Sequence, residues 1–123
     1  MVTASKENEG VSGTAAEGQA EMEQRINVLW SANRAMVLQW VDMLEREFWR
    51  LLRSPEDRAA ALIVRDLAHK IAVVLGTFGM ARGSKIASTL ERISQAPRGA
   101  RGTASSTVYG LLHDLRTVVR SRR

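Results

Sequence analysis

The sequence predicts an all-α fold, an antiparallel up-and-down four-helix bundle, and three observations carry that expectation. Apolar residues recur at helical spacing in four stretches, no stretch shows the sustained period-two alternation of a half-buried strand, and the connections, about 2–8 residues long, favour antiparallel neighbours. In the first stretch Ile26, Trp30, Val37, Trp40, Val41, Leu44, Phe48, Leu51 and Leu52 share one side when plotted at 100° per residue. Ser31, Asn33 and Arg34 interrupt that stripe, so the segment reads either as one helix from about Glu21 or as two pieces, near 22–31 and on to about Arg53. Ser54-Pro55-Glu56-Asp57 then has the chemistry of a helix start: a hydroxyl to accept an orphan amide, a proline suited to the first turn, and acids at the positive dipole end. The second helix, about 55–77, turns Ala60, Ile63, Val64, Leu67, Ile71, Val74, Leu75 and Phe78 inward and ends near Gly76 and Gly79. A third, about Met80–Gln95, carries Gly83, Ile86, Ala87, Leu90 and Ile93 on its inner face and is stopped by Pro97. After the loop 97–102, Ser105 or Ser106 can cap a last helix with the stripe Val108, Leu111, Leu112, Leu115, Val118 and Val119 and a basic C-terminal end.

Composition narrows the function before any motif is read. The chain has 123 residues, enough for one modest domain, with 45% hydrophobic and 25% charged residues, the balance of a soluble globular protein. Residues 1–20 are rich in Gly, Ser, Thr, Ala and Glu and read as a disordered tail ahead of a domain over 21–121. No apolar run is long enough to cross a bilayer and no secretory signal opens the chain, so a cytoplasmic location is expected. Without Cys, and with only two His, disulfides, thiolate sites and cysteine nucleophiles are excluded and a protein-only zinc site is not expected. The net charge is +5 and 15 of the 18 basic residues are Arg, which suits phosphate or acidic partners without choosing among them.

The second helix has an unusual outward face. With Leu67 pointing inward, His69 lies roughly 200° round the helix, together with Arg58, Leu62, Arg65, Ala72, Val73 and Gly76. His69 is therefore expected to be exposed, with the small Ala72 and Gly76 leaving its edge open, Arg65 one turn earlier and Lys70 at the border with the core. Imidazole is the side chain that offers a free nucleophilic nitrogen near neutral pH, and nearby cations help hold a phosphoryl group placed on it.

The run 68–79, Ala-His-Lys-Ile-Ala-Val-Val-Leu-Gly-Thr-Phe-Gly, resembles the motif of histidine-containing phosphotransfer (HPt) domains, particularly the bacterial variety with His-Lys-Leu-Ala followed by Leu-Gly-Thr-Phe-Gly. Gly79 stands ten residues after His69 like the family's second glycine, Leu90-Glu91 matches a Leu-Glu of the next helix, and the likeness spans about residues 22–120. The resemblance implies a stand-alone phosphocarrier, rather than a turnover enzyme, that relays a phosphoryl group between the aspartates of receiver domains in response regulators or hybrid histidine kinases. His69 would be the phosphoacceptor, reacting through its outer ring nitrogen. Lys70, Arg65, Arg82 and Lys85 would offset phosphoryl charge, and Leu62, Ala72, Val73, Gly76 and Gly79 would form the access and docking face. No cofactor is expected on this chain, Mg²⁺ belonging to the receiver, and a monomer is expected. Two positions depart from the family pattern. Val73 stands where glycine is usual, four residues after the histidine, and a β-branched side chain there crowds an approaching receiver; Ala72 stands where many members have a basic residue.

Each feature also has a plainer reading. An exposed histidine is most often only solvated, and His113, which lacks the flanking motif, is assigned that role. Trp30 and Trp40 fall on or near the apolar stripe and read as core, while Trp49 is offset. Leu62 and Val73 read as an apolar rim suited to transient docking. Arg98, Arg101, Arg120, Arg122 and Arg123 either solvate helix ends or form a phosphate patch, but no nucleic-acid motif accompanies them. Gly76 and Gly79 have neither the preceding strand nor the lysine of a phosphate-binding loop. Two other readings stay open: an HPt-like scaffold or inhibitor that binds receivers or kinases without being phosphorylated, suggested by Val73, and a basic helical nucleic-acid-binding module, suggested by the charge.

Overall fold

The computed structural model describes residues 2–96 and 104–122, with side chains from residue 15 onward. Four helices account for almost all of them: α1 (Val2–Arg53), α2 (Arg58–Thr77), α3 (Ala81–Gln95) and α4 (Ser105–Ser121), with no strand among the described residues. Pro97, the loop around Arg98 and Arg101, and Arg123 lie outside the described residues. No described helix is long and apolar enough to cross a membrane.

The chain divides into two units, residues 1–32 and 33–123. In the first, the stretch 2–20 that composition marks as a tail is helical and forms the N-terminal part of α1. Ala, Glu and Gln favour the helical backbone, so the ladder of α1 continues there, although residues 15–25 are exposed and bury nothing. The expected domain start near residue 21 falls inside this unit. Trp30 is fully buried.

In the second unit the core is built from Val37, Val41, Leu44, Phe48 and Leu51 of α1, Val64, Leu67, Ile71 and Leu75 of α2, Ala87 and Leu90 of α3, and Val108, Leu112, Leu115 and Val119 of α4. Asn33 and Arg34 do not break α1. Arg34 spans to α4, where its guanidinium donates to the Arg120 carbonyl. Farther along, Arg116 of α4 sits between Asp42 and Glu45, 2.6 Å from an oxygen of each. Burial alone would lower the Arg116 pKa, but the hydrogen bonds and negative charge of Glu45 and Asp42 outweigh it and hold the guanidinium above its usual value. Trp49 meets Tyr109 at 5.6 Å between ring centroids, tilted by 53°.

Caps differ in detail from the sequence reading. Asp57, not Ser54, caps α2, its Oδ1 accepting from the Ala60 amide at 3.0 Å. Neither Ser105 nor Ser106 caps α4: Ala104 occupies the N-cap and no side chain bonds there. Gly79, at φ 74°, closes α2 with paired bonds from Met80 N to the Leu75 carbonyl (2.8 Å) and from Gly79 N to the Gly76 carbonyl (3.1 Å). A glycine is needed there for the backbone alone.

The buried side of α2 is rotated from the stripe of large residues. Ile63 is exposed and Val74 and Phe78 are half-buried, whereas Ala68 and Ala72 are buried. Ala68, Ala72 and Gly76 recur every four residues, and small side chains in such a row let a neighbouring helix come close. That neighbour is α3. The Ser84 hydroxyl donates to the Ala72 carbonyl at 2.8 Å, and a Cβ at Gly76 would sit 3.4 Å from the same hydroxyl.

Candidate functional site

The packing of α2 on α3 fixes what surrounds His69. Ala72 pairs with Ser84 and His69 with Glu91, so residue numbers rise along one helix as they fall along the other. The imidazole is 67% exposed. Its Nδ1 lies 3.0 Å from Glu91 Oε1 and 3.3 Å from Oε2. A carboxylate can only accept, so Nδ1 is the donor of this pair, and in the neutral ring the lone pair is then on Nε2. Two elements, α2 and α3, thus set the position and orientation of the ring together.

The other expected site residues are distributed less tightly. Leu62 and Val73, 50% and 54% exposed, flank His69 at seven and four residues on the same face, as expected. Ala72 does not belong to that face: it is buried under α3, because its small side chain admits that helix rather than opening an approach to the imidazole. Gly76 is exposed beside Ser84, and Gly79 acts as the helix terminator.

Two of the four expected cations have partners of their own, and the other two stand farther along α3. Arg65 donates through Nε and Nη2 to Asp66 Oδ1 at 3.2 Å. Lys70 places its ammonium 4.8 Å from the centroid of the Trp40 ring, a cation–π contact. Lys85 and Arg82 are exposed on α3 but lie six and nine residues before Glu91, about 9 and 13.5 Å of helix rise away. Among the described residues no group of three or more His, Asp or Glu is placed to hold a metal ion. His113 is exposed, in line with a solvated role, and Arg122 is committed to the Phe78 carbonyl rather than to a free basic patch.

Glu91 and Trp40 are the partners that the sequence did not assign. Glu91 carried a signal as half of the Leu-Glu pair, but its contact with His69, 22 residues away in sequence, depends on the register of α2 against α3. An amide in place of the carboxylate removes the negative charge and can turn a donor as well as an acceptor to the ring, so Nδ1–H is no longer favoured over the other tautomer. Glu91→Gln is therefore expected to slow any reaction at Nε2 about ten- to a hundredfold, read as the initial rate of imidazole modification by a small electrophile, with the circular dichroism of the chain unchanged. Comparison with protein-family models, with curated proteins and with solved structures finds no match to this chain.

Proposed function

We propose that the chain is a histidine phosphotransfer protein in which His69 accepts a phosphoryl group from a receiver-domain aspartate and later returns it. The observation that carries this reading is the His69–Glu91 pair: an exposed imidazole with Nδ1 bound to a carboxylate and Nε2 turned free. The likeness of residues 68–79 and 90–91 to the HPt motif adds to it. So do the contacts of α2 with α3 and of α1 with α4, which suit an antiparallel up-and-down bundle of HPt type.

The reaction needs little from this chain. The Nε2 lone pair attacks the phosphorus of the aspartyl phosphate, the N–P bond forms as the P–O bond breaks, and the aspartate leaves as a carboxylate. The ring becomes cationic in the process. Glu91, already on Nδ1–H, offsets that charge at the moment it develops, the role a carboxylate plays behind any nucleophilic or basic histidine. Mg²⁺ and further activating groups belong to the receiver. Leu62 and Val73 supply an apolar rim for a transient partner. The test is incubation with a receiver domain phosphorylated on its aspartate. Transfer of an acid-labile, alkali-stable label to this chain is the expected result, and a chain that stays unlabelled while the receiver loses its phosphate only to water would overturn the reading.

A second reading rests on Val73, whose branched side chain stands one turn above His69 on the docking face. In it the bundle binds receivers or kinases without being phosphorylated. Val73→Gly separates the two. With a working His69 the smaller residue relieves crowding and raises the transfer rate several-fold, about three- to tenfold, offset in stability by about 0.5 kcal/mol of lost helix preference. With an idle His69 the substitution leaves labelling at zero.

A further inference from the structure

The proposed reaction leaves a charge to be answered. A phosphoryl group on Nε2 brings up to two negative charges and three acceptor oxygens next to the negative Glu91. The nearby cations differ in how free they are to respond. Arg65 is held by Asp66, and Arg82 and Lys85 lie farther along α3. Lys70 is one residue from His69, its Cα about 3.8 Å away, on a flexible four-carbon stem. Its ammonium is over the face of Trp40.

From this arrangement we infer that Lys70 is a two-position cation: it rests on Trp40 while His69 is bare and swings to a phosphoryl oxygen when His69 is loaded, so that Trp40 reports the phosphorylation state. The inference rests on the phosphotransfer reading of His69 and adds to it a role for Trp40. A cation–π contact at an exposed site is weak, whereas a charge-assisted hydrogen bond to phosphate is among the stronger contacts a lysine makes. The direction of the exchange follows from that difference. In the bare protein the ammonium is engaged with Trp40 of α1, which occupies it until a phosphoryl group arrives on the neighbouring residue. Trp40 is in this sense a positioning residue for Lys70, and the move breaks one contact between α1 and α2 each time the group is taken up.

The test uses the full chain and phosphoramidate, a small N-phosphoryl donor. Nε2 attacks phosphorus, the donor's P–N bond breaks, and the amine leaves with a proton as ammonia. Phosphorus NMR follows phosphohistidine while the indole N–H signals of the tryptophans are followed in parallel. The expected result is a shift of the Trp40 indole in proportion to phosphohistidine, with Trp49, tilted against Tyr109, unmoved and with no change at either in His69→Gln. Lys70→Met should still be phosphorylated, should show no Trp40 shift, and should lose its phosphoryl group to water about three- to tenfold faster; Lys70→Arg should restore the lifetime. Phosphohistidine that forms with Trp40 unmoved, and with the same lifetime in Lys70→Met, would overturn the Lys70 exchange and leave the His69 reading standing. Absence of phosphohistidine in the unaltered chain would overturn both.

Discussion

His69→Gln should take up no phosphoryl group from a phosphorylated receiver or from phosphoramidate, while folding as the unaltered chain does. The glutamine amide nitrogen has its lone pair delocalised into the carbonyl and cannot attack phosphorus, so the loss is complete rather than graded. The fold has little reason to notice. The imidazole is 67% exposed and touches the rest of the protein through one contact to Glu91, so the change in stability should stay within about 0.5 kcal/mol. His113→Gln is the control, because its ring is exposed on α4 with none of the His69 setting. Label remaining on His69→Gln, or disappearing from His113→Gln, would move the chemistry away from the α2–α3 face.

That face was partly legible in the sequence, and the boundary between what could and could not be read has a physical origin. The exposure of His69, Leu62 and Val73 followed from the 100° step of a helix and the position of Leu67, because one helix face is defined by residues of one segment. The same counting misplaced Ala72. Large apolar residues mark a buried stripe, but Ala68, Ala72 and Gly76 mark a surface where a neighbour comes close, and a stripe of small residues looks the same whether a helix or solvent covers it. Glu91 on His69 and Trp40 under Lys70 are contacts between helices, set by register and crossing rather than by spacing within a segment. The partners of the cations follow the same division: Asp66 beside Arg65 is a neighbour in sequence, whereas the placing of Arg82 and Lys85 relative to α2 depends on the register of α3. The absence of a serine cap on α4 shows the weaker side of local signals, since Ser105 and Ser106 are already inside the helix they were expected to start.

Gly83→Val should be the most damaging substitution for the site that does not touch it. Gly83 is buried on α3, and a Cβ built there would lie 2.7 Å from Leu75 Cδ1 and 3.1 Å from Val118 Cγ1, closer than carbon atoms pack. Alanine already requires the tip of the buried Leu75 to shift and Val118 to give by a few tenths of an ångström, which offsets the up to about 1 kcal/mol it gains in helix preference, so Gly83→Ala should be mildly destabilising. Valine adds two further methyl groups between α2 and α4, where Leu75 is fully buried and both it and Val118 have already had to give way to the Cβ. Overpacking of that kind costs about 1–3 kcal/mol, which for a unit of this size lowers the midpoint of thermal unfolding by roughly 5–20 °C. The cost also falls on the chemistry. Gly83 sits one residue from Ser84 and about two turns from Glu91, so a shift of α3 large enough to relieve the clash changes the 3.0 Å contact that fixes the imidazole. Gly83→Val is therefore expected to lose phosphoryl uptake in excess of its loss of folded protein at 25 °C, and to lose it in the manner of Glu91→Gln, by rate and not by stoichiometry. A Gly83→Val chain that unfolds early but reacts at the unaltered rate while folded would show that α3 yields elsewhere and that the α2–α3 register does not set the reactivity of His69.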